Sequence, residues 1–271
     1  MTTSFTLTSW QPHPDPVDRE VWLTLLGRFH LEIRSRRVVL SPSVQRLLAF
    51  LALHREGVAR PVVAETLWPD LAVRRAGASL RSTLWRLSRC SGPCELVRPG
   101  DATLSLAPRV GVDLHLAERS AARLTAPPGG GDAGGDARAA GPVPRYTLDC
   151  LGEDLLPDWT EDWLLIAREH FRQTRLHALE AVCRRLLRAG LRTAAMEAAM
   201  AAVEAEPLRE SAHRHVVRVH LAEGNAAEAL RHYEFFRLLL RRELGLAPSA
   251  EFRRLMAPCL GRPLDRGPAV P

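Results

Sequence analysis

The sequence predicts a mostly α protein with small β-sheets, a compact front half followed by a repeated helical back half. Three observations predict it. Val73 to Cys90, VRRAGASLRSTLWRLSRC, has helical periodicity and a basic face of one charge sign. Cys94 to Leu106, CELVRPGDATLSL, alternates apolar residues on both sides of Pro99-Gly100-Asp101, the pattern of a β-hairpin. Gly190 and Gly224 recur 34 residues apart, followed at equal offsets by Ala195 and Ala229. Thirty-four residues is the period of a repeated helical hairpin.

The 271 residues suffice for two domains, each with its own core. Net charge is +6, and every one of the 37 basic residues is Arg. The absence of Lys reflects gene composition, so local balance says more than the total. From Arg19 to His115 there are 15 Arg against 8 acids, whereas Arg145 to Arg262 holds 18 against 17. The basic excess sits in front. Five scattered cysteines, Cys90, Cys94, Cys150, Cys183 and Cys259, argue against a disulfide framework and for a reducing compartment. Cys90 and Cys94 have no second pair at ligand spacing, so no metal site is expected. The opening MTTSFTLTSWQPHPDP lacks the charge and apolar run of a signal peptide, and no stretch reaches membrane-spanning length. A cytoplasmic protein without membrane contact is expected.

Taken in order, Pro12, Pro14 and Pro16 keep a polar tail extended. VWLTLLGRFHLEIRSRRVVL reads as short strands, with Gly27 at the first turn and Arg34-Ser35-Arg36 at the second. A helix follows, with Ser41 as N-cap, Pro42 at its first position, and Val44, Leu47, Leu48 and Leu51 on one stripe; Gly57 ends it. Pro61 opens a shorter helix with Val63, Ala64 and Leu67 inward, stopped by Pro69 after Trp68. Pro69 to Ala72 then leads into the Val73 helix. Two helices with a tight connection, the second presenting Arg and Ser, make a helix-turn-helix, and a hairpin directly behind it is a wing.

Wound at 3.6 residues per turn, the Val73 helix puts Val73, Ala76, Leu80, Leu84 and Leu87 on a core stripe with Thr83 beside them. Arg74, Arg75, Ala78, Ser79, Ser82, Trp85, Arg86 and Arg89 gather opposite, with Arg81 at the edge and no acid among them. Arg forks match phosphates and guanine edges, and Ser hydroxyls reach phosphates at short range. The candidate DNA-binding residues are therefore Arg74, Arg75 and Ser79 nearest base edges, with Ser82, Arg86, Arg89 and wing Arg98 on phosphates. Arg81, Trp85 and wing Thr103 complete the set. The competing reading is a solvated basic face in an Arg-rich chain. Trp85 either touches DNA or packs against the wing or the helical domain.

Pro127 to Pro142, PPGGGDAGGDARAAGP, has almost nothing to bury and reads as a flexible linker. Beyond it, LLPDWTEDWLLIAREHFRQTRLHALEAVCRRLLRAG reads as one or two long amphipathic helices, with Trp159 and Trp163 as i, i+4 neighbours and Leu164 starting the stripe. Ala199, Ala202 and Pro207 continue the first 34-residue unit; Ala229 and Tyr233 fit the second, where bulky Phe236 takes a usually small position. A tetratricopeptide-like array is expected. The boundaries that follow are a tail at 1–18, a winged helix-turn-helix at 19–117, a Gly/Pro-rich linker at 118–145, the helical domain at 146–262 and a tail at 263–271.

No catalytic constellation emerges, so no enzyme and no cofactor are expected. His213, His215 and His220 have spacings of two and five, which gives no i, i+4 metal pair, and they read as solvated or capping side chains. Asp158, Glu161 and Asp162 read as acids favoured by a helix N-terminus. Without Lys no Walker A loop exists.

The strands, SPSVQRLLAFLAL, ETLWPD, ASLRSTLWRLSR and the hairpin resemble the OmpR-type winged helix of the Streptomyces antibiotic regulatory protein family. VDLH at Val112 to His115 is similar to that family's domain-closing strand. VEAEPLRESAHRHVVRVHLAEGNAAEALRHYEFFRLLLRRELGLAPS resembles the bacterial transcriptional activator domain that follows it. The resemblance implies an activator that binds promoter direct repeats in double-stranded DNA and recruits RNA polymerase. The short Pro69–Ala72 connection departs from relatives whose polymerase contacts lie in that loop. A homodimer is left open. The alternative function is a protein-interaction adaptor that grips a partner with the helical domain and keeps the winged helix as a packing module.

Overall fold

The computed structural model describes residues 20–91, 94–100, 102–126 and 150–260. The tails and the run Pro127–Pro142 lie outside the described residues. The chain divides into two compact units: one runs up to His115 and includes Leu155–Leu164, the other comprises Leu116–Asp154 and the chain from Leu165 onward.

In the first unit, β1 (Val21–Thr24) pairs antiparallel with β2 (His30–Ile33), which pairs with β3 (Arg36–Arg37). Arg34 and Ser35 both take positive φ between β2 and β3, the two-residue turn that matches strand twist. Arg34 reinforces it, its amide donating to the Glu20 carbonyl at 2.8 Å and its Nε to the Glu20 carboxylate at 2.7 Å. On the other side β1 runs parallel to β7 (Val110–Val112), so sheet order is β3-β2-β1-β7. Val21, Leu23 and Leu31 are buried under it.

Three helices pack beneath: α1 (Pro42–Leu53), α2 (Arg60–Leu67) and α3 (Val73–Cys90). The stripes read from sequence are the buried ones in α1 (Val44, Leu47, Leu48, Leu51) and α2 (Val63, Ala64, Leu67). Helix α1 ends at Leu53, short of Gly57. Gly57 instead turns with φ +89° into β4 (Val58–Ala59), a strand that sequence reading missed. Strand β4 pairs with β6 (Thr103–Leu106), and β6 with β5 (Val97–Pro99), so the hairpin is three-stranded.

The expected strand VDLH is corrected. The strand ends at Val112, and Asp113 opens helix α4 (Asp113–Thr125). Leu114, Ala117 and Ala121 are its buried positions, a helical spacing. Asp113 is buried, and its two carboxylate oxygens accept the amides of Leu25 (2.9 and 3.0 Å), Leu26 (2.9 Å) and Leu114 (2.7 Å). Burial pushes its pKa up to about 7, against the downward pull of these backbone donors.

The expected long helix from Leu155 is also corrected. Residues 155–161 are not helical; a single 3-10 turn, Asp162–Leu164, precedes α5 (Leu165–Arg188). Leu155 forms a β-bridge with Leu26, and the Leu156 amide donates to the Leu25 carbonyl at 2.9 Å. Trp159 stacks on Phe29 with centroids 5.8 Å apart, while Trp163 meets Phe50 edge-on at 5.3 Å. Glu161 accepts from Arg46 at 2.8 Å and from Trp163 Nε1 at 3.0 Å. An ion pair across the unit therefore explains Glu161, not a helix dipole. The periodicity misled because apolar residues that pack along a strap need no helical spacing.

The second unit stacks α5 on α6 (Arg192–Ala205), α6 on α7 (Glu210–Ala222) and α7 on α8 (Ala226–Leu244), with α9 (Ala250–Leu260) against α7 and α8. The 34-residue repeat is visible bond by bond. Gly190 (φ 77°) and Gly224 (φ 80°) turn alike. The Leu191 amide reaches Leu186 O and the Asn225 amide reaches His220 O, both at 2.9 Å; Ala195 bonds Leu191 O and Ala229 bonds Asn225 O, both at 3.0 Å. Ala195, Ala199, Ala202 and Ala229 are buried, and Phe236 fills the core with Tyr233, Phe252 and Met256.

The histidines are corrected: His213 and His215 are buried, and neither is solvated. Helix α7 has neighbours on several sides, so a period-based polar face does not survive packing. His213 Nε2–H donates to the Pro207 carbonyl at 2.9 Å, which leaves Nδ1 to accept from His232 Nε2–H at 3.0 Å. Phe236 stacks on His213 at 4.2 Å. Burial lowers the pKa of His213 and brings His232 and His215 down to about 4.

Removing the acceptor in Asp113→Ala strands the Leu25 and Leu26 amides and is expected to cost about 2–4 kcal/mol in urea unfolding of the full chain. Trp163→Ala is expected to cost about 2 kcal/mol, read the same way. Because the folded-state pKa values of the histidines lie below the unfolded value of about 6.5, they favour folding above that pH. Stability of the helical unit should drop as pH falls from about 6.5 towards 4, and His232→Gln should make that loss shallower.

Candidate nucleic-acid interface

Helix α3 begins where Ala72 O accepts the amides of Arg75 (2.7 Å) and Ala76 (3.0 Å). It has no side-chain cap and no acid in its first turn. Two arginines, Arg74 and Arg75, stand at the positive end of the helix dipole, an arrangement that costs stability unless an anion lies nearby. Arg89 in the last turn has the favourable sign.

Ala76, Leu80, Thr83 and Leu87 anchor the helix inward, and Leu84 is half-buried. Val73 departs from the expected core stripe at 67% exposure. Leu71 and Ala72 before it are also exposed, so the first turn projects beyond the residues that cover the rest of the stripe. On the opposite face Arg74, Arg75, Arg81, Ser82, Trp85, Arg86 and Arg89 are exposed, and Ser79 is half-buried.

Among the described residues, Arg74, Arg75, Arg81, Arg86, Arg89 and Arg98 make no ion pair. In the helical unit, by contrast, Arg172, Arg175, Arg209, Arg214, Arg231, Arg237 and Arg242 each pair with a carboxylate. Trp85 is 59% exposed, so the wing does not bury it. The Arg89 guanidinium lies 4.9 Å from the Trp85 ring centroid, a cation–π contact that splays both side chains along the surface. Ser88 Oγ donates to the Trp85 carbonyl at 2.8 Å.

In the wing, Arg98 sits opposite Ser105 and is exposed, as is Thr103. The Gly100 amide bonds Thr103 O at 2.9 Å, and a Cβ on Gly100 would lie 2.8 Å from Thr103 Oγ1, so a side chain there would have to turn the Thr103 hydroxyl aside. Arg60 is the residue that sequence reading overlooked. Its amide donates to Ala102 O at 3.1 Å, which ties the start of α2 to the wing. A two-residue strand has no periodicity to reveal it. No group of three His, Cys, Asp or Glu among the described residues is placed to hold a metal ion, and no described helix is long and apolar enough to cross a membrane.

Residues 112–260 match the family model of the bacterial transcriptional activator domain. No curated protein matches the chain. Among solved structures, Mycobacterium tuberculosis EmbR in complex with a low-affinity phosphopeptide is similar at a TM-score of 0.70 and 19% identity, covering 92% of this chain and 67% of that one. That likeness extends the shared fold over the winged helix as well as the helical repeats. A family match across more than half of the sequence, joined to this modular fold, makes the chain a member of the bacterial transcriptional activator domain family and a transcriptional regulator of the Streptomyces antibiotic regulatory protein type.

Proposed function

We propose that the protein activates transcription by laying α3 in the major groove of promoter DNA and recruiting RNA polymerase beside it. One observation carries this reading: six exposed arginines on α3 and the wing have no acidic partner among the described residues, and α3 itself contains no acid. Arg74, Arg75 and Ser79, at the end of α3 that enters first, take base edges. Arg81, Ser82, Arg86, Arg89 and the wing's Arg98 and Thr103 take the backbone. Trp85, presented with Arg89, lies against sugars. A DNA phosphate near the first turn of α3 reverses the unfavourable dipole interaction of Arg74 and Arg75.

The connection between α2 and α3, shorter than in relatives that hold polymerase contacts there, still offers a small protein-facing surface. Its exposed apolar residues Leu71 and Val73 adjoin the exposed acid Asp70, and Val62 of α2 is exposed as well. Two protomers side by side on a direct repeat account for a homodimer on DNA.

The test is binding to the DNA upstream of the gene at several salt concentrations. Arg75→Ala should weaken binding by about 1–3 kcal/mol and relax the preference for that sequence over competitor. Arg89→Ala should lower the slope of log K against log salt by about one. Unchanged affinity in both variants would remove α3 from the interface. Absence of any sequence preference in the intact protein would favour the adaptor reading.

A further inference from the structure

Behind the arginine face, the C-terminal half of α3 and the wing enclose a cleft of about 500 Å³. It lies within the first unit. Leu84 and Leu87 form its wall on α3; Leu96, Val97 and Leu104 form the wall opposite. Its volume falls in the range of small-molecule sites, and its composition matches them: aliphatic walls with a few polar groups.

Two charged residues border the cleft, Arg60 and Glu95. They make no ion pair with each other or with any group among the described residues. They are not equivalent. Glu95 is exposed, whereas Arg60 is half-buried and has no counter-charge among the described residues. The two elements that form the walls also carry Arg86, Arg89 and Arg98, an excess of positive charge over the one acid, Glu95. An anion is the missing partner. A nucleic-acid backbone does not fit, because five aliphatic side chains cannot solvate a chain of phosphates.

We propose that this cleft binds a small apolar carboxylic acid, its hydrocarbon part between α3 and the wing and its carboxylate in the fork of Arg60. Guanidinium and carboxylate match in shape as well as charge, which favours a carboxylate over a spherical anion. The walls belong to the two elements that carry the arginine face. Leu84 and Leu87 lie among Arg81, Arg86 and Arg89, and Val97 directly precedes Arg98. A molecule seated there sets the spacing between helix and wing.

The experiment uses the full chain, decanoate as the probe, and methyl NMR. Decanoate should give saturable shifts at Leu84, Leu87, Leu96, Val97 and Leu104 below millimolar concentration. Decanol, with the same chain and no charge, should bind at least tenfold more weakly. Arg60→Gln should weaken decanoate at least tenfold, and Arg74→Ala, which removes an arginine of the outer face, should not change it. Leu84→Phe, which fills the cleft from the opposite wall, should abolish the shifts while the spectrum stays dispersed. The proposal is overturned if the shifts fail to saturate, if they spread to exposed apolar residues such as Ile166 and Phe235 as in surfactant adsorption, or if decanol and Arg60→Gln match the parent pair. No DNA enters the measurement, so its outcome is independent of the regulator reading.

Discussion

One carboxylate holds the winged unit together from within. Asp113 stands where a parallel strand becomes a helix, and its oxygens take the amides of Leu25 and Leu26 just after the neighbouring strand β1. Those amides have left the sheet, and without an acceptor they would be buried donors with nothing to bond. The same loop is held from its other side, since the Leu25 carbonyl accepts the Leu156 amide. A single turn is thus gripped by two segments that follow it by about ninety and about one hundred and thirty residues.

The chain uses its arginines in two ways. Some meet acids, as where Arg46 meets Glu161 in the winged unit and where Arg209 and Ser211 converge on buried Glu180 in the helical one. Buried Arg175 likewise pairs with Asp154 at 2.7 Å. On α3 they do not, and the helix tolerates two arginines at its positive end. Local stability and surface chemistry conflict there, and such conflicts concentrate where a partner resolves them.

The limits of α3 were legible in the sequence, because its two-faced periodicity runs from the Pro69–Ala72 connection to just short of the hairpin pattern that starts at Cys94. The 34-residue turns were legible too, since Gly190 and Gly224 occupy a left-handed conformation that other residues adopt at a cost. Four features were not. Strand β4 is too short to show a period. Val73 fitted the stripe but lies a turn beyond the residues that cover it. The strap of Leu155–Leu164 carries tryptophans at a helical interval, yet their rings are held 6.4 Å apart and perpendicular without a helix between them. His213 and His215 were misread for a related reason: periodicity describes one face of a helix, and α7 is enclosed on more than one.

Leaving the winged unit at His115 and returning to it at Leu155, the chain closes a ring on itself. The cost of closing such a ring grows only with the logarithm of its length. Insertions or deletions in the glycine-rich run between the two anchor points would therefore alter the closure entropy by a small amount and leave both anchors in register. A gene fragment cut at the apparent end of the winged helix, by contrast, would discard the returning arm and lay Phe29, Phe50 and Leu26 open to water.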